Sequence, residues 1–131
     1  MSSRNKDIAV QFLAALDRDP DRMPGFLSDK AEYHLIAQLL NVGPFIGKNA
    51  IATQFVPMVK NLFPNHLNIE IDNVIAEGNH VAVECHSNTI CANGRKYANL
   101  YHFLFEFEGD RIRSVKEYND SQYAKETLMP G

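Results

Sequence analysis

No stretch of this chain approaches the roughly 20 consecutive apolar residues that a membrane-spanning helix requires, so no membrane span is expected. Basic residues are not in excess either. Thirteen Lys and Arg against sixteen Asp and Glu leave a formal charge of −3 and a pI near 5.9, which gives no electrostatic footprint for nucleic acid. Cysteine is scarce. Cys85 and Cys91 lie in what reads as one strand, which separates them by about 20 Å at roughly 3.3 Å per residue, whereas a disulfide needs Cα atoms within about 7 Å. An intrachain bridge is not expected, and this fits a reducing cytoplasm. The histidines His34, His66, His80, His86 and His102 form no i,i+4 helical pair and there is no Cys-x-x-Cys, so no metal site is indicated. Gly-x-Gly-x-x-Gly and phosphate-loop motifs are missing, so no cofactor is expected. The first residues, Met1 to Asp7, lead into an amphipathic helix without an apolar h-region, so secretion is not indicated.

What is present describes one domain over residues 1–131, long enough for a single core. Hydrophobic residues make up 45% and charged residues 22%, ordinary for a globular protein. Ile8, Phe12, Leu13 and Leu16 share a helical face and predict a first helix over Asn5 to Asp17, with Asn5 as N-cap. Pro20 opens a short second helix that Pro24-Gly25 disturbs. Ala31 to Ile36 reads as a strand and Gln38 to Gly47 as a loop. A third helix runs from Ala50 to Phe63, with Ile51, Phe55, Val59 and Leu62 as its buried stripe and Pro57 as a kink. Four longer strands follow over 66–77, 80–91, 95–108 and 111–120. The dipeptides Gly78-Asn79, Asn93-Gly94 and Gly109-Asp110 between them are turn signals of antiparallel hairpins. Helices followed by a strand meander give an α+β class, with helices on one face of an antiparallel sheet.

The third of these strands carries the clearest functional signal. Tyr97, Asn99, Tyr101, Phe103, Phe105 and Phe107 alternate, so they form one stripe on one face. The stripe grades from phenols and an amide to pure hydrocarbon, which suits a pocket wall; equally, its polar end could reach solvent at the sheet margin. On the second long strand Cys85, Ser87 and Thr89 share a face with Val81 and Val83. A nucleophile there would need an oriented base, and His86 points to the other side, so small polar lining is the better reading. Glu117 shares parity with Val115 and Asn119 but also with Arg113. It is either a carboxyl in an apolar pocket, its pKa raised by burial, or part of an exposed charged stripe. Tyr33 and His34 point to opposite sides of the first strand, so only one can face the interior, and His34, as an imidazole, is a secondary acid/base candidate.

The segments Gln11-Phe12-Leu13-Ala14-Ala15-Leu16, Gly47-Lys48-Asn49-Ala50-Ile51, Tyr101 to Phe107 and Arg111 to Asp120 together resemble the cone-shaped α+β fold of nuclear transport factor 2, ketosteroid isomerase, scytalone dehydratase, limonene-epoxide hydrolase and the SnoaL-like polyketide cyclases. The likeness spans Asn5 to Ala124. It implies a cone-shaped roll, three N-terminal helices packed on a curved antiparallel sheet. Carried over residue by residue, the ketosteroid isomerase tyrosine, base and strand aspartate fall on Phe12, Leu35 and Tyr101, so no carboxylate base remains there. The epoxide hydrolase set falls on Cys85 for its arginine and on Ser87 and Glu117 for its aspartates. Tyr33 and Leu35 take the places of its tyrosine and asparagine, and the arginine and first aspartate are lost. A SnoaL-like cyclase, isomerase or lyase needs only one acid/base group.

The resemblance therefore implies Glu117 as acid/base, Tyr101 and Tyr33 as assisting catalytic groups, and a small hydrophobic substrate. Asn99, Asn119, Ser87 and Cys85 are the expected polar lining. Phe12, Leu35, Phe55, Val115 and Phe103 are the expected apolar lining. A non-catalytic binding module of the same fold is the alternative. Ala98, Leu100 and Leu104 make the opposite sheet face apolar as well, which predicts a homodimer through that face.

Overall fold

The computed structural model describes residues 2–37 and 42–129. Helix α1 spans Ser2–Arg18 and buries Ala9, Phe12, Leu13 and Leu16, the 3.6-residue stripe seen in the sequence. It begins three residues before the expected cap, so Asn5 lies inside its first turns and does not cap it. A 3₁₀ helix over Pro20–Phe26 follows, with Pro20 at its start and Pro24 within it. Strand β1 covers Leu27–Leu35. Of the expected loop Gln38 to Gly47, residues 38–41 lie outside the described residues. The remainder contains a short strand, β2 at Phe45–Ile46, which pairs antiparallel with Glu32 and Tyr33 of β1.

The helical segments Lys48–Ala50, Ile51–Phe55 and Val56–Leu62 run on from one another as helix α2. The middle segment is a π turn in which the Val56 N–H bonds back to the Ile51 carbonyl. Pro57 offers no N–H and its ring crowds the carbonyl four residues earlier. A single wide turn just ahead of it accommodates both, so the disturbance expected of Pro57 takes the form of a π turn.

Six strands form the main sheet in the order β2-β1-β8-β7-β4-β3, where β3 is Glu70–Glu77, β4 His80–His86, β7 Leu100–Glu108 and β8 Arg111–Asn119. Every pair is antiparallel except β1 with β8, which is parallel. The sheet is mostly antiparallel, as expected, with this one parallel pair. Turn dipeptides report only strands that follow one another, and β1 and β8 stand far apart in the chain. The turns themselves fall as expected, with Gly78 and Gly109 at φ 60° and 62°, where only glycine is unstrained.

Three strand boundaries differ from the sequence reading, each for a local polar reason. The segment 66–69 is not part of β3. The N–H groups of Leu67, Asn68 and Ile69 donate to the Asp17 carboxylate at 2.8, 2.9 and 2.8 Å, with His66 and Asn68 at positive φ. The expected strand 80–91 ends at His86, and 95–108 splits at Ala98-Asn99. The Asn99 side chain takes the Leu100 N–H at 2.8 Å and donates to the Asp120 carbonyl at 3.2 Å, competing with the ladder. Beyond the break, β5 (Thr89–Ile90) and β6 (Lys96–Tyr97) pair only with each other. Cys85 and Cys91 are therefore not in one strand, and the spacing argument loses its premise; both thiols are nonetheless free and buried. A last helix, α3 at Ser121–Leu128, was not expected. The Asp120 carboxylate caps it by accepting the Tyr123 N–H, and Ala124 is buried.

The alternating stripe survives the strand break, since Tyr97, Asn99, Tyr101, Phe103, Phe105 and Phe107 are all buried. They pack beneath α1 and α2, with Phe12 edge-on to Phe105 at 5.4 Å.

The Asp17 contact yields a stability prediction. Asp17→Ala strands three N–H donors, and hydrogen bonds to a charged group contribute about 1.5–3 kcal/mol each, not additively. The variant should lose about 3 kcal/mol or more in urea unfolding, and Asp17→Asn, which keeps one acceptor oxygen, should lose less. A loss under about 1 kcal/mol for the alanine variant would show that the clamp is dispensable.

Candidate functional site

Between the sheet and α2 lies a pocket whose polar atoms come from β7, β8 and the strand break. In β8 the register steps from Glu106↔Ser114 to Phe107↔Ile112, so Arg113 is an extra residue in a β-bulge. The bulge reverses the simple parity of the strand. Ile112 and Val115 both turn inward, while Arg113 is exposed and pairs with Glu106. Glu117 and Arg113 consequently do not share a stripe. Glu117 lines the pocket together with Asn119, opposite Phe103 on one side and Leu35 on the other.

The carboxyl of Glu117 accepts the Tyr33 hydroxyl at 2.6 Å. Tyr33 is fully buried and its ring lies 4.1 Å from that of Phe55. Burial lifts the Glu117 pKa to about 7 from an ordinary 4.5, and the hydrogen bond from Tyr33 pulls the other way. Burial is therefore the stronger effect. The Tyr33 phenol is pushed well above its usual range, first by burial and then by the neighbouring Glu117 charge.

A second polar group meets the pocket a few residues along. The Tyr101 and Tyr97 hydroxyls are 2.6 Å apart, and the Asn99 amide nitrogen donates to Tyr97 at 2.9 Å. Because the Asn99 oxygen already holds the Leu100 N–H, the orientation of that amide is fixed. Tyr97 is pushed up to about 12, chiefly by burial, and Tyr101 is raised for the same first reason. Both remain neutral hydrogen-bonding groups at ordinary pH. Apolar lining comes from Phe55, Met58, Val59, Leu62 and Phe63 at the end of α2, with Leu16, Leu67, Ile69 and Leu128 closing the sides. The room open to water-molecule centres is about 70 Å³, above the roughly 10–15 Å³ that a single water requires. A wider groove of about 620 Å³ crosses the outer face past Lys30, Glu106 and Arg113, but it is charged and open.

Of the residues expected at the site, Glu117, Tyr101, Asn119, Leu35, Phe55 and Phe103 line this pocket. Tyr33 stands behind Glu117 and Asn99 behind Tyr97, each acting through a hydrogen bond. Four others are not in the lining. Phe12 and Val115 are fully buried core residues. Ser87 is buried with its hydroxyl accepting the Asn99 N–H at 3.0 Å. Cys85 is buried with its thiol pushed up to about 12, first by burial, which leaves it unreactive. His34 pairs with Glu32 at 3.0 Å, away from the pocket lining. Tyr97, read from the sequence as part of the stripe but not singled out as a site residue, is in the lining too. Sequence reasoning missed Met58 and Phe63, whose helical spacing from Phe55 and Val59 was a usable signal. Leu128 had none, because α3 itself was not foreseen.

The model of the SnoaL-like domain family matches residues 9–115. No curated protein matches the chain. Among solved structures, Bal32a from a soil-derived mobile gene cassette is similar at TM-score 0.84 and 16% identity, over 97% of this chain and 98% of that one. An epoxide hydrolase from M. tuberculosis is similar at TM-score 0.77 and 20% identity, over 98% and 91%. A Catenulispora acidiphila protein with a ketosteroid isomerase-like fold, in complex with trimethylamine, is similar at TM-score 0.74 and 17% identity, over 85% and 83%. At these identities the likeness concerns the fold.

The position of Glu117 makes stability depend on pH in a definite direction. Its folded pKa, about 7, lies above its ordinary 4.5, so the folded state holds the proton more tightly. The contribution is fully present below pH 4.5 and is lost as pH rises to 7. At 1.36 kcal/mol per unit this is about 3 kcal/mol. Glu117→Gln should abolish that fall in stability, and carboxyl-carbon NMR should show Glu117 titrating near pH 7. Tyr33→Phe should raise the midpoint further, since the lost hydrogen bond favours the charged form. Titration at the ordinary value would contradict the site as described.

Proposed function

The chain belongs to the SnoaL-like domain family within the nuclear transport factor 2-like superfamily, and on that premise we propose that it is a small enzyme, needing no cofactor, that moves a proton on a compact hydrophobic molecule held in the cone pocket. The whole chain acts as one such domain. The observation that carries the reading is the Glu117 carboxyl, which lines an apolar pocket with its pKa lifted to about 7. A general acid/base is most effective when its pKa lies near the working pH. Tyr33 holds Glu117 in place through a 2.6 Å hydrogen bond, and Tyr101, with Asn99 behind Tyr97, orients the substrate. The reaction is of the isomerase, cyclase or lyase type. The neighbour holding trimethylamine supports small-molecule binding in a cone of this kind. A binding module is the weaker reading, because Phe105 and Phe107 sit in the core and Phe103 lines an open space; the cone is not plugged.

The test is proton exchange. Compact carbon acids incubated with the protein in deuterium oxide should exchange their activated C–H, followed by NMR. Glu117→Gln is nearly isosteric and should fold normally while slowing exchange by about 10²- to 10⁴-fold. Equal rates in the two proteins would remove Glu117 from the mechanism.

The protein works as a homodimer through the outer face of the sheet, in a reducing cytoplasm that suits its two unpaired thiols. On that face Leu100 is 68% exposed and Ile75 59%, and the His102 and Tyr118 rings pack together beside them. Light scattering should give twice the chain mass of 14.8 kDa, and Leu100→Lys should shift it to the single chain. A wild-type mass of one chain at micromolar concentration would refute the dimer.

A further inference from the structure

Charge is distributed one-sidedly in the pocket. Among the described residues that line it, none is Lys, Arg or His, and one, Glu117, is a carboxylic acid. One carboxylate oxygen accepts from Tyr33, a neutral donor. A carboxylate taken from water without a cation is costly. Beside it on the same strand face, Asn119 carries an Oδ1 that is buried with no hydrogen-bond partner, a second acceptor without a donor. The Tyr101 hydroxyl is paired with that of Tyr97 at 2.6 Å, and either oxygen can be the donor.

Aromatic faces complete the surroundings. Tyr101 and Phe103 stack at 5.8 Å, and Phe103 is the register partner of Glu117. Phe63 and Tyr97 form a second stacked pair at 5.3 Å. Ring faces carry negative potential and attract cations within about 6 Å. An anion entering this space would meet Glu117 and no compensating charge.

We infer that the pocket takes a compact organic cation, an alkyl or cycloalkyl ammonium, in preference to neutral or anionic molecules of the same shape. The inference rests on the reading that this pocket is the ligand site, and it names the charge class of the ligand. Ammonium N–H groups pair with the Glu117 carboxylate and the hydrocarbon part lies against the rings. Binding then requires Glu117 to be ionised. Since an alkyl ammonium stays charged up to about pH 10, ammonium binding below pH 7 releases the Glu117 proton.

Three probes of equal shape test this by isothermal titration calorimetry: cyclohexylamine, cyclohexanol and cyclohexanecarboxylate. The amine should bind about tenfold or more tighter than the alcohol at pH 8, as a desolvated charge pair with cation–π support allows, and the carboxylate more weakly than either. Amine affinity should rise about tenfold per pH unit up to pH 7 and then level off, while the alcohol shows no such rise. Glu117→Gln should weaken the amine about tenfold and leave the alcohol within about twofold. An alcohol that binds as tightly as the amine, or amine binding that ignores pH, overturns the proposal while leaving the pocket as the ligand site. If none of the three binds to the folded protein, both the cation preference and the pocket reading fall.

Discussion

Three consecutive backbone N–H groups, from Leu67, Asn68 and Ile69, converge on the single carboxylate of Asp17, and much of the remaining architecture depends on that convergence. Asp17 is the penultimate residue of α1 and is buried. Its carbonyl also accepts the His66 imidazole N–H at 2.9 Å. The end of the first helix is thereby fixed to the segment that leads into β3, and the chain adopts positive φ at two non-glycine residues there. Such residues are costly alone and persist because a charged acceptor over-determines the backbone. The same segment carries Leu67 and Ile69 into the pocket wall. One side chain therefore couples helix, sheet edge and pocket.

The pocket chemistry is a contest between two opposed effects. Burial penalises the charged form of Glu117, and the Tyr33 hydrogen bond favours it. A hydrogen bond to a charged group contributes about 1.5–3 kcal/mol, whereas an unpaired buried carboxylate costs several. Burial wins, but not by enough to lock the group in its neutral form. The carboxyl is left near the midpoint at physiological pH, able to take or give a proton. Tyr97 and Tyr101, phenols whose ordinary pKa of 10.0 burial raises further, stay neutral at ordinary pH.

Much of this could be read from the sequence because it depends on period. Strict alternation from Tyr97 to Phe107 identified one buried face, and that face stayed buried even where the strand breaks. Helical spacing placed α1 and α2 correctly, and the family resemblance set the cone. What escaped was decided by single polar contacts or by distance along the chain. Nothing in the composition of 66–69 announces that its N–H groups belong to Asp17, fifty residues earlier. Asn99 looks like any strand residue until its amide takes the ladder's place. The parallel pairing of β1 with β8 carries no local mark. Ser87 and Cys85 had the right parity for lining, yet the strand carries them into solid packing instead.

The bulge at Arg113 has a consequence for how this fold is compared with its relatives. Upstream and downstream of that residue, β8 counts inward and outward on opposite parities. Losing Arg113 would leave the two faces as they are, but drawing it into an uninterrupted pleat would exchange the faces of everything beyond it. Lys116 and Tyr118 would turn toward the helices and Glu117 toward water, although no functional side chain had been altered. Pairing β8 with a relative's strand position by position, without a gap, is therefore sound only where the relative shares the bulge. Among chains this distant, the equivalence of a carboxylate is settled by the count of residues around Arg113 before it is settled by chemistry.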